Sequence, residues 1–237
     1  MRTLLIVGAS RGLGRALAEG ISDPGDTLFL VSRTPPELSV IPERVNSHWI
    51  EADLRDPAVP SRIVEALEGR ALDVFLYNAG IWETGWTNTP FESVSPSELR
   101  DIIAVNLTAP MLCAQALLPN LRRSSPGRVV LIGSTCGWEN ESSPLVATAG
   151  SKFGLRGVAH ALREVGRPDG ITVTCLSPGT LATETPLRAG TEPVIAEHSN
   201  RRIPVGDIVE LVRTLLRLSP ASCVKEILVP ATADEGI

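Results

Sequence analysis

The chain has 237 residues and a mass of 25.3 kDa, the size of one large α/β domain that buries most of its unfolded-state surface. Hydrophobic residues make up 43% and charged residues 21%, a balance that argues against disorder. The formal charge of −5 excludes a broad basic field for nucleic acid or an anionic membrane.

The chain begins with the apolar run Thr3–Val7, which stops at Gly8 with no cleavage-like site after it, so a first strand is expected rather than a signal peptide. Further strand-like runs follow at Thr27–Val31, Ser47–Glu51, Asp73–Tyr77, Arg128–Ile132, Ile171–Leu176 and Glu226–Val229. Between them, helical spacing covers Gly12–Ile21, Ser61–Leu67, Ser97–Leu121, Val146–Val165 and Asp207–Leu218. Alternating β-branched strands and amphipathic helices predict an α/β fold over residues 1–237: a Rossmann-type doubly wound parallel sheet of about seven strands, with helices on both faces. No continuous apolar run reaches the roughly 20 residues a bilayer requires. The segment Thr183–Pro204 lacks clear periodicity and is expected as a substrate or lid loop. Cys113, Cys136, Cys175 and Cys223 are widely spaced with no CxxC pair, which fits four buried, reduced thiols in a cytoplasmic protein.

The first strand runs into Gly8-Ala9-Ser10-Arg11-Gly12-Leu13-Gly14 and then a helix. Glycines at such a turn let the backbone approach a pyrophosphate, and the free N–H groups of the helix start favour its charge. At the end of the second strand an acid would hold a ribose 2′-hydroxyl and favour NAD. The sequence there is Val31-Ser32-Arg33-Thr34, with no acid. Arg33 and Arg11, with Ser32 adding a hydroxyl, suit a 2′-phosphate, so NADP(H) is expected over NAD(H).

Over nearly its whole length the chain resembles the classical short-chain dehydrogenases/reductases. Gly8–Gly14 is similar to the family's cofactor loop, with Val7 where a threonine is usual. Asp53-Leu54 resembles the adenine-contacting pair, and Asn78-Ala79-Gly80 the motif that stabilises the sheet beside the cofactor. Asn106 falls at the helix-kinking, water-holding asparagine and Ser134 at the catalytic serine. Pro178-Gly179, with Leu181 and Thr183, resembles the nicotinamide-binding turn. The resemblance implies hydride transfer between a nicotinamide cofactor and a carbonyl or alcohol, and a homodimer or homotetramer joined through two long helices. The expected ligands are this cofactor and a small molecule, with no metal, nucleic acid or membrane.

One position departs from the family. Lys152, in Ser151-Lys152-Phe153-Gly154-Leu155, matches the lysine of a Tyr-x-x-x-Lys pair, and Thr148 stands where the tyrosine belongs. In the family the tyrosine donates a proton, the lysine binds ribose and lowers the tyrosine pKa, and the serine holds the substrate oxygen. Threonine is too weak an acid and too short for that role. Three substitutes are open: water relaying from Lys152 through the ribose hydroxyl, an acidic hydroxyl on the substrate, or Glu139 or Glu141 from the loop after Ser134. The only tyrosine, Tyr77, is expected in packing.

Other candidates carry less. Cys136 is expected to pack, His160 lies over two turns beyond Lys152, His198 lies in the lid segment, and His48 suggests no chemistry. Trp82, Trp86 and Trp138 follow two loops at the ligand edge and offer either a flat apolar ligand surface or packing. Two functions remain open: an NADP(H)-dependent oxidoreductase with an atypical proton route, or a catalytically impaired NADP(H)-binding protein acting as sensor, scaffold or oligomer partner.

Overall fold

The computed structural model describes residues 1–85, 90–139 and 143–234. In chain order the elements are β1 (Thr3–Val7), α1 (Gly12–Gly20), β2 (Thr27–Ser32), β3 (Asn46–Glu51), α2 (Val59–Ala66), β4 (Val74–Tyr77), α3 (Pro96–Ile103), a π turn (Ala104–Thr108) and α4 (Ala109–Leu121). They continue with β5 (Arg128–Ile132), α5 (Val146–Gly166), β6 (Thr172–Pro178), β7 (Leu181–Ala182), α6 (Glu192–His198), β8 (Ile203–Pro204), α7 (Val205–Arg217) and β9 (Glu226–Val229). Seven strands form one parallel sheet in the order β3-β2-β1-β4-β5-β6-β9, as expected. The strand order reverses between β1 and β4, where Val7 pairs with Tyr77, and such a reversal opens a crevice at the strands' C-terminal ends.

Alternation along each strand builds two cores. Leu5, Val7, Phe29, Val31, Phe75 and Tyr77 pack on the face covered by α2, α4 and α5. Leu4, Ile6, Leu28, Leu30 and Leu76 pack on the other face with α1 and α7. A fully buried side chain of this size contributes roughly 1.5–3 kcal/mol. β4 and β5 are buried at every position, whereas β3, at the sheet edge, is polar and largely exposed.

The helix expected over Ser97–Leu121 is interrupted by the π turn. Its cause is local. Pro110 has no N–H to give the Asn106 carbonyl four residues back. The Ala109 N–H bonds the Ala104 carbonyl instead of that of Val105. Val105 therefore loses its usual donor, and the buried phenol of Tyr77 replaces it at 2.6 Å.

Three further expectations need correction. The continuous helical stretch Pro96–Leu121 is long and apolar enough to cross a membrane by length and composition. Counting uninterrupted apolar runs missed it because polar residues are scattered through it. The share of its most apolar window buried inside the fold is 44%, and one such helix is weak evidence for a membrane span. The segment Thr183–Pro204 is not irregular: it holds α6, anchored by buried Val194, and closes through β8 pairing with β7. Of the four thiols, Cys113 and Cys175 are buried, Cys136 is partly exposed and Cys223 is exposed.

Candidate active site

The turn from β1 into α1 is shaped by close backbone approach. Gly8 has φ +85°, and the Asn78 side-chain amide donates to its carbonyl at 3.0 Å. A Cβ on Gly14 would lie 1.8 Å from that same carbonyl oxygen, so no side chain fits there. Helix α1 starts after Arg11 with no side-chain cap and no acid in its first turn. Its leading N–H groups thus have no internal anion competing for them, which fits a dinucleotide pyrophosphate. Ser10, Gly12 and Leu13 complete the turn. Thr183, beyond β7, lies against Gly12, so the loops after β1 and β6 meet.

Arg11 and Arg33 are both exposed and form no ion pair among the described residues, whereas Arg15 is held by Glu37 at 3.0 Å. Ser32 is differently placed. Its hydroxyl donates to the Thr34 carbonyl at 2.7 Å and accepts from the Trp49 indole at 3.2 Å, so its proton is engaged within the protein. Asp53 is gripped by Arg55, whose side-chain hydrogen bonds hold the carboxyl at a pKa of about 2, with Arg33 adding to the effect. Leu54 packs at the edge of the core.

Three elements bring the central side chains together. The buried Asn106 in the π turn clamps the loop after β4: its carbonyl oxygen accepts the Ile81 N–H at 2.9 Å and its amide donates to the Ile81 carbonyl at 2.8 Å. The same amide reaches the Ser151 hydroxyl at 3.1 Å, which donates to the Thr148 carbonyl. This fixes Asn78, Ala79 and Gly80 against α5. A Cβ on Gly80 would lie 3.6 Å from the Lys152 amine and 3.7 Å from the Asn106 side-chain oxygen. Lys152 is buried and donates to the Ile132 carbonyl at 3.0 Å. Desolvation lowers its pKa below the ordinary lysine value. With one acceptor among the described residues, the amine retains protons for sugar hydroxyls, so it fits the ribose of a dinucleotide. Ser134 lies two residues beyond β5 and accepts the Cys136 N–H at 3.4 Å, and Gly137 packs so closely on the Lys152 backbone that a Cβ would sit at 2.7 Å.

Thr148 is engaged by a residue that sequence reasoning did not single out. Helix α5 has no cap from its own N-cap residue, Leu145. The buried carboxylate of Glu83 supplies one: Oε1 accepts the N–H of Ala147 at 2.7 Å and of Thr148 at 3.3 Å. The Thr148 hydroxyl donates to Oε2 at 2.6 Å. The helix's positive end and these donors favour a carboxylate at this point. The only available signal was an acid three residues after Asn-Ala-Gly, which by itself carries no information about α5.

The other candidates scatter. Glu139 is exposed, and Glu141 and Trp86 lie outside the described residues. Trp138 is covered by the Arg156 guanidinium at 3.8 Å, while Trp82 is 58% exposed. His160 lies 3.2 Å from the Glu226 carboxylate, His198 lies 3.2 Å from that of Glu184, and His48 stacks on Phe29. Tyr77 is 1% exposed, with burial pushing its phenol well above the usual value, so it is no displaced acid. Among the described residues no cluster has metal-binding composition. The turn Pro178-Gly179 is tied to β9 by the Gly179 N–H to the Val229 carbonyl at 2.8 Å.

A family model for short chain dehydrogenases matches residues 2–192. The chain is 29% identical over 215 residues to the rhamnolipids biosynthesis 3-oxoacyl-[acyl-carrier-protein] reductase of Pseudomonas aeruginosa, covering 86% of this chain and 82% of that protein. It is 30% identical over 244 residues to Protein FixR of Bradyrhizobium diazoefficiens, covering 100% and 87%. Among solved structures, a metagenomic short-chain oxidoreductase in complex with NADP superposes with a TM-score of 0.80 at 26% identity, over 98% of both chains. The glycine loop, the clamped Asn-Ala-Gly segment and the buried lysine therefore have a common origin: the chain belongs to the short-chain dehydrogenase family.

Proposed function

We propose that the protein is an NADP(H)-dependent oxidoreductase that reduces a carbonyl, or oxidises an alcohol, with a proton route that does not use a phenol. The observation carrying this reading is the buried Lys152 amine beside Gly80 and Asn106, donating to the Ile132 carbonyl. A structural scaffold would gain nothing from desolvating an amine there. A bound dihydronicotinamide supplies hydride. In this reading Gly8, Ser10, Gly12, Leu13 and Gly14 hold the pyrophosphate end, and Arg11 and Arg33 take the 2′-phosphate beside Ser32, whose own proton stays on the Thr34 carbonyl. Asp53 and Leu54 border the adenine, and Asn78, Ala79, Gly80, Pro178, Gly179, Leu181 and Thr183 border the nicotinamide end. Lys152 binds ribose, and Ser134 orients the substrate oxygen beside Asn106 and Thr148. The NADP found with the metagenomic neighbour supports the phosphate preference. The 183–204 segment, closing against β7, is the proposed substrate cover.

Self-association is part of the same reading. Ile103, Met111, Leu112, Val146, Phe153 and Val165 are large apolar side chains exposed on α3, α4 and α5. Burying them between two copies supports a homodimer or homotetramer.

The test pairs NADPH titration with a panel of carbonyl substrates on wild type and Thr148→Tyr. Wild-type turnover that falls on Ser134→Ala supports the enzyme. NADPH binding with turnover only in Thr148→Tyr would instead favour the impaired cofactor-binding protein.

A further inference from the structure

We propose that Glu83 and Thr148 form a two-residue proton relay in place of the absent phenol: the Glu83 carboxyl is the acid–base group, and the Thr148 hydroxyl, too weak an acid by itself, only passes the proton between it and a substrate oxygen seated nearer α5 than a phenol would allow. This rests on the oxidoreductase reading above and gives its proton route specific atoms.

Four observations carry it. The Thr148 hydroxyl donates to Glu83 Oε2 at 2.6 Å, while its own oxygen accepts no hydrogen bond from the described residues and so has lone pairs for a substrate O–H. Glu83 is 3% exposed and Thr148 7%, so the pair is shielded from bulk water. Thr148 stands one helical turn before Lys152 on the same face of α5. Glu83 is also held on both sides: Ile81 is clamped by Asn106, and the Thr84 N–H is bound by Glu98 at 2.5 Å. The titratable groups around the relay are thus Glu98 from α3, Lys152 on α5, and Cys136 in the loop after β5, which interacts with Lys152.

The proton count closes. In oxidation, the substrate O–H bond breaks toward Thr148 Oγ1 as the Thr148 proton passes to Glu83 Oε2. The electron pair of the substrate C–H bond would leave as hydride, which a bound oxidised nicotinamide would accept; a C=O bond forms, and Glu83 becomes a carboxylic acid that gives its proton to solvent once the product has left and before the next turnover. Reduction is the reverse, with Glu83 giving its proton back through Thr148 to the nascent alkoxide. Thr148 then contacts the substrate oxygen and passes the proton, and Glu83 is the base that takes it up.

A cap alone requires only an oxygen acceptor, and this separates the relay from a structural role. Glu83→Gln keeps an amide oxygen for the Ala147 and Thr148 N–H groups but cannot take up the Thr148 proton. The expected result is a kcat lowered by about 10²-fold or more, loss of one limb of the pH–rate profile, and KM and NADPH affinity within about twofold of wild type. Thr148→Val should behave alike, and Thr148→Ser should turn over at least about tenfold faster than Thr148→Val. Infrared difference spectra should show a carboxyl band that titrates while the protein is folded, disappears in Glu83→Gln and shifts in Thr148→Val. Wild-type kcat and pH profile in Glu83→Gln would overturn the relay and leave the oxidoreductase reading standing. A wild type that binds NADPH but turns over no substrate would overturn the oxidoreductase reading. The infrared titration would then judge the proton exchange by itself, and a Glu83 band insensitive to Thr148→Val would overturn the relay.

Discussion

The phenol of Tyr77, at the end of β4, donates a 2.6 Å hydrogen bond to the carbonyl of Val105 inside the π turn. That carbonyl has no helical donor, because Ala109 serves Ala104 and the next residue, Pro110, has no N–H. Tyr77→Phe leaves it buried and unpaired. The expected cost is about 1–3 kcal/mol in urea unfolding, with the fold retained. Because Asn106 sits in the same turn, the variant should also raise amide exchange at Ile81, whose N–H depends on Asn106.

Gly14→Ala places a Cβ where only 1.8 Å separates it from the Gly8 carbonyl oxygen. Neither backbone can yield without disturbing the Asn78 bond to that oxygen. The variant is expected to lose at least about 1–3 kcal/mol of stability and most of its affinity for a dinucleotide, read by denaturation and NADPH fluorescence titration. A variant with unchanged affinity would place the cofactor elsewhere.

The arginine pair gives the cofactor preference a direct test. Hydrogen bonds to a charged group are worth about 1.5–3 kcal/mol, so Arg11→Ala and Arg33→Ala should each weaken NADPH binding by roughly 10–100-fold. NADH lacks the 2′-phosphate and should bind with nearly the same affinity before and after. Equal losses for the two cofactors would remove the argument for NADP(H).

The parallel sheet was legible because β1, β4, β5 and β6 are nearly continuous apolar runs between helical segments, a pattern few other folds accommodate. The π turn was not, since its cause is one missing N–H at Pro110 within a stretch whose apolar spacing stays helical. Helix α6 is short, with its apolar anchor at the single buried Val194, and left no readable period. At the candidate site, glycines and asparagines were legible because backbone geometry dictates them locally. Glu83 was not, because its partners Ala147 and Thr148 lie 64 and 65 residues away. Trp138 was readable as an aromatic at the ligand edge but not as the platform for Arg156.

Acid sensitivity follows from Asp53. Its folded pKa is lowered from 3.8 to about 2 by Arg55. A depressed carboxyl contributes stability that is present above its unfolded pKa and is lost as pH falls through the folded one. The pair is well exposed, with side-chain exposures of 47% and 37%, so solvent screening limits its contribution to under about 1 kcal/mol. Asp53→Asn should therefore be slightly less stable than wild type at pH 7, and the difference should vanish between about pH 4 and pH 2. A difference that persists below pH 2 would point to packing rather than charge.

Arg156 offers a test of how rigidly Ser134 is held. Its guanidinium lies 3.8 Å over Trp138, donates to the Gly137 carbonyl at 3.2 Å and pairs with Glu226 of β9 at 2.9 Å. One side chain on α5 thus ties the loop after Ser134 to the sheet edge. Arg156→Lys keeps the charge but loses the planar fork that makes these contacts at once. The cation–π contact contributes about 0.5–1 kcal/mol and the ion pair a comparable amount, so a loss of about 1–2 kcal/mol is expected. The sharper measurement is amide exchange over residues 135–139, which should rise in Arg156→Lys while exchange in β1 and β4 stays as in wild type. If Ser134 orients the substrate oxygen, kcat should fall with that loosening and NADPH affinity should not, since the pyrophosphate turn lies on the other side of β4. Loosening without any change in kcat would show that Ser134 needs no support from this clamp.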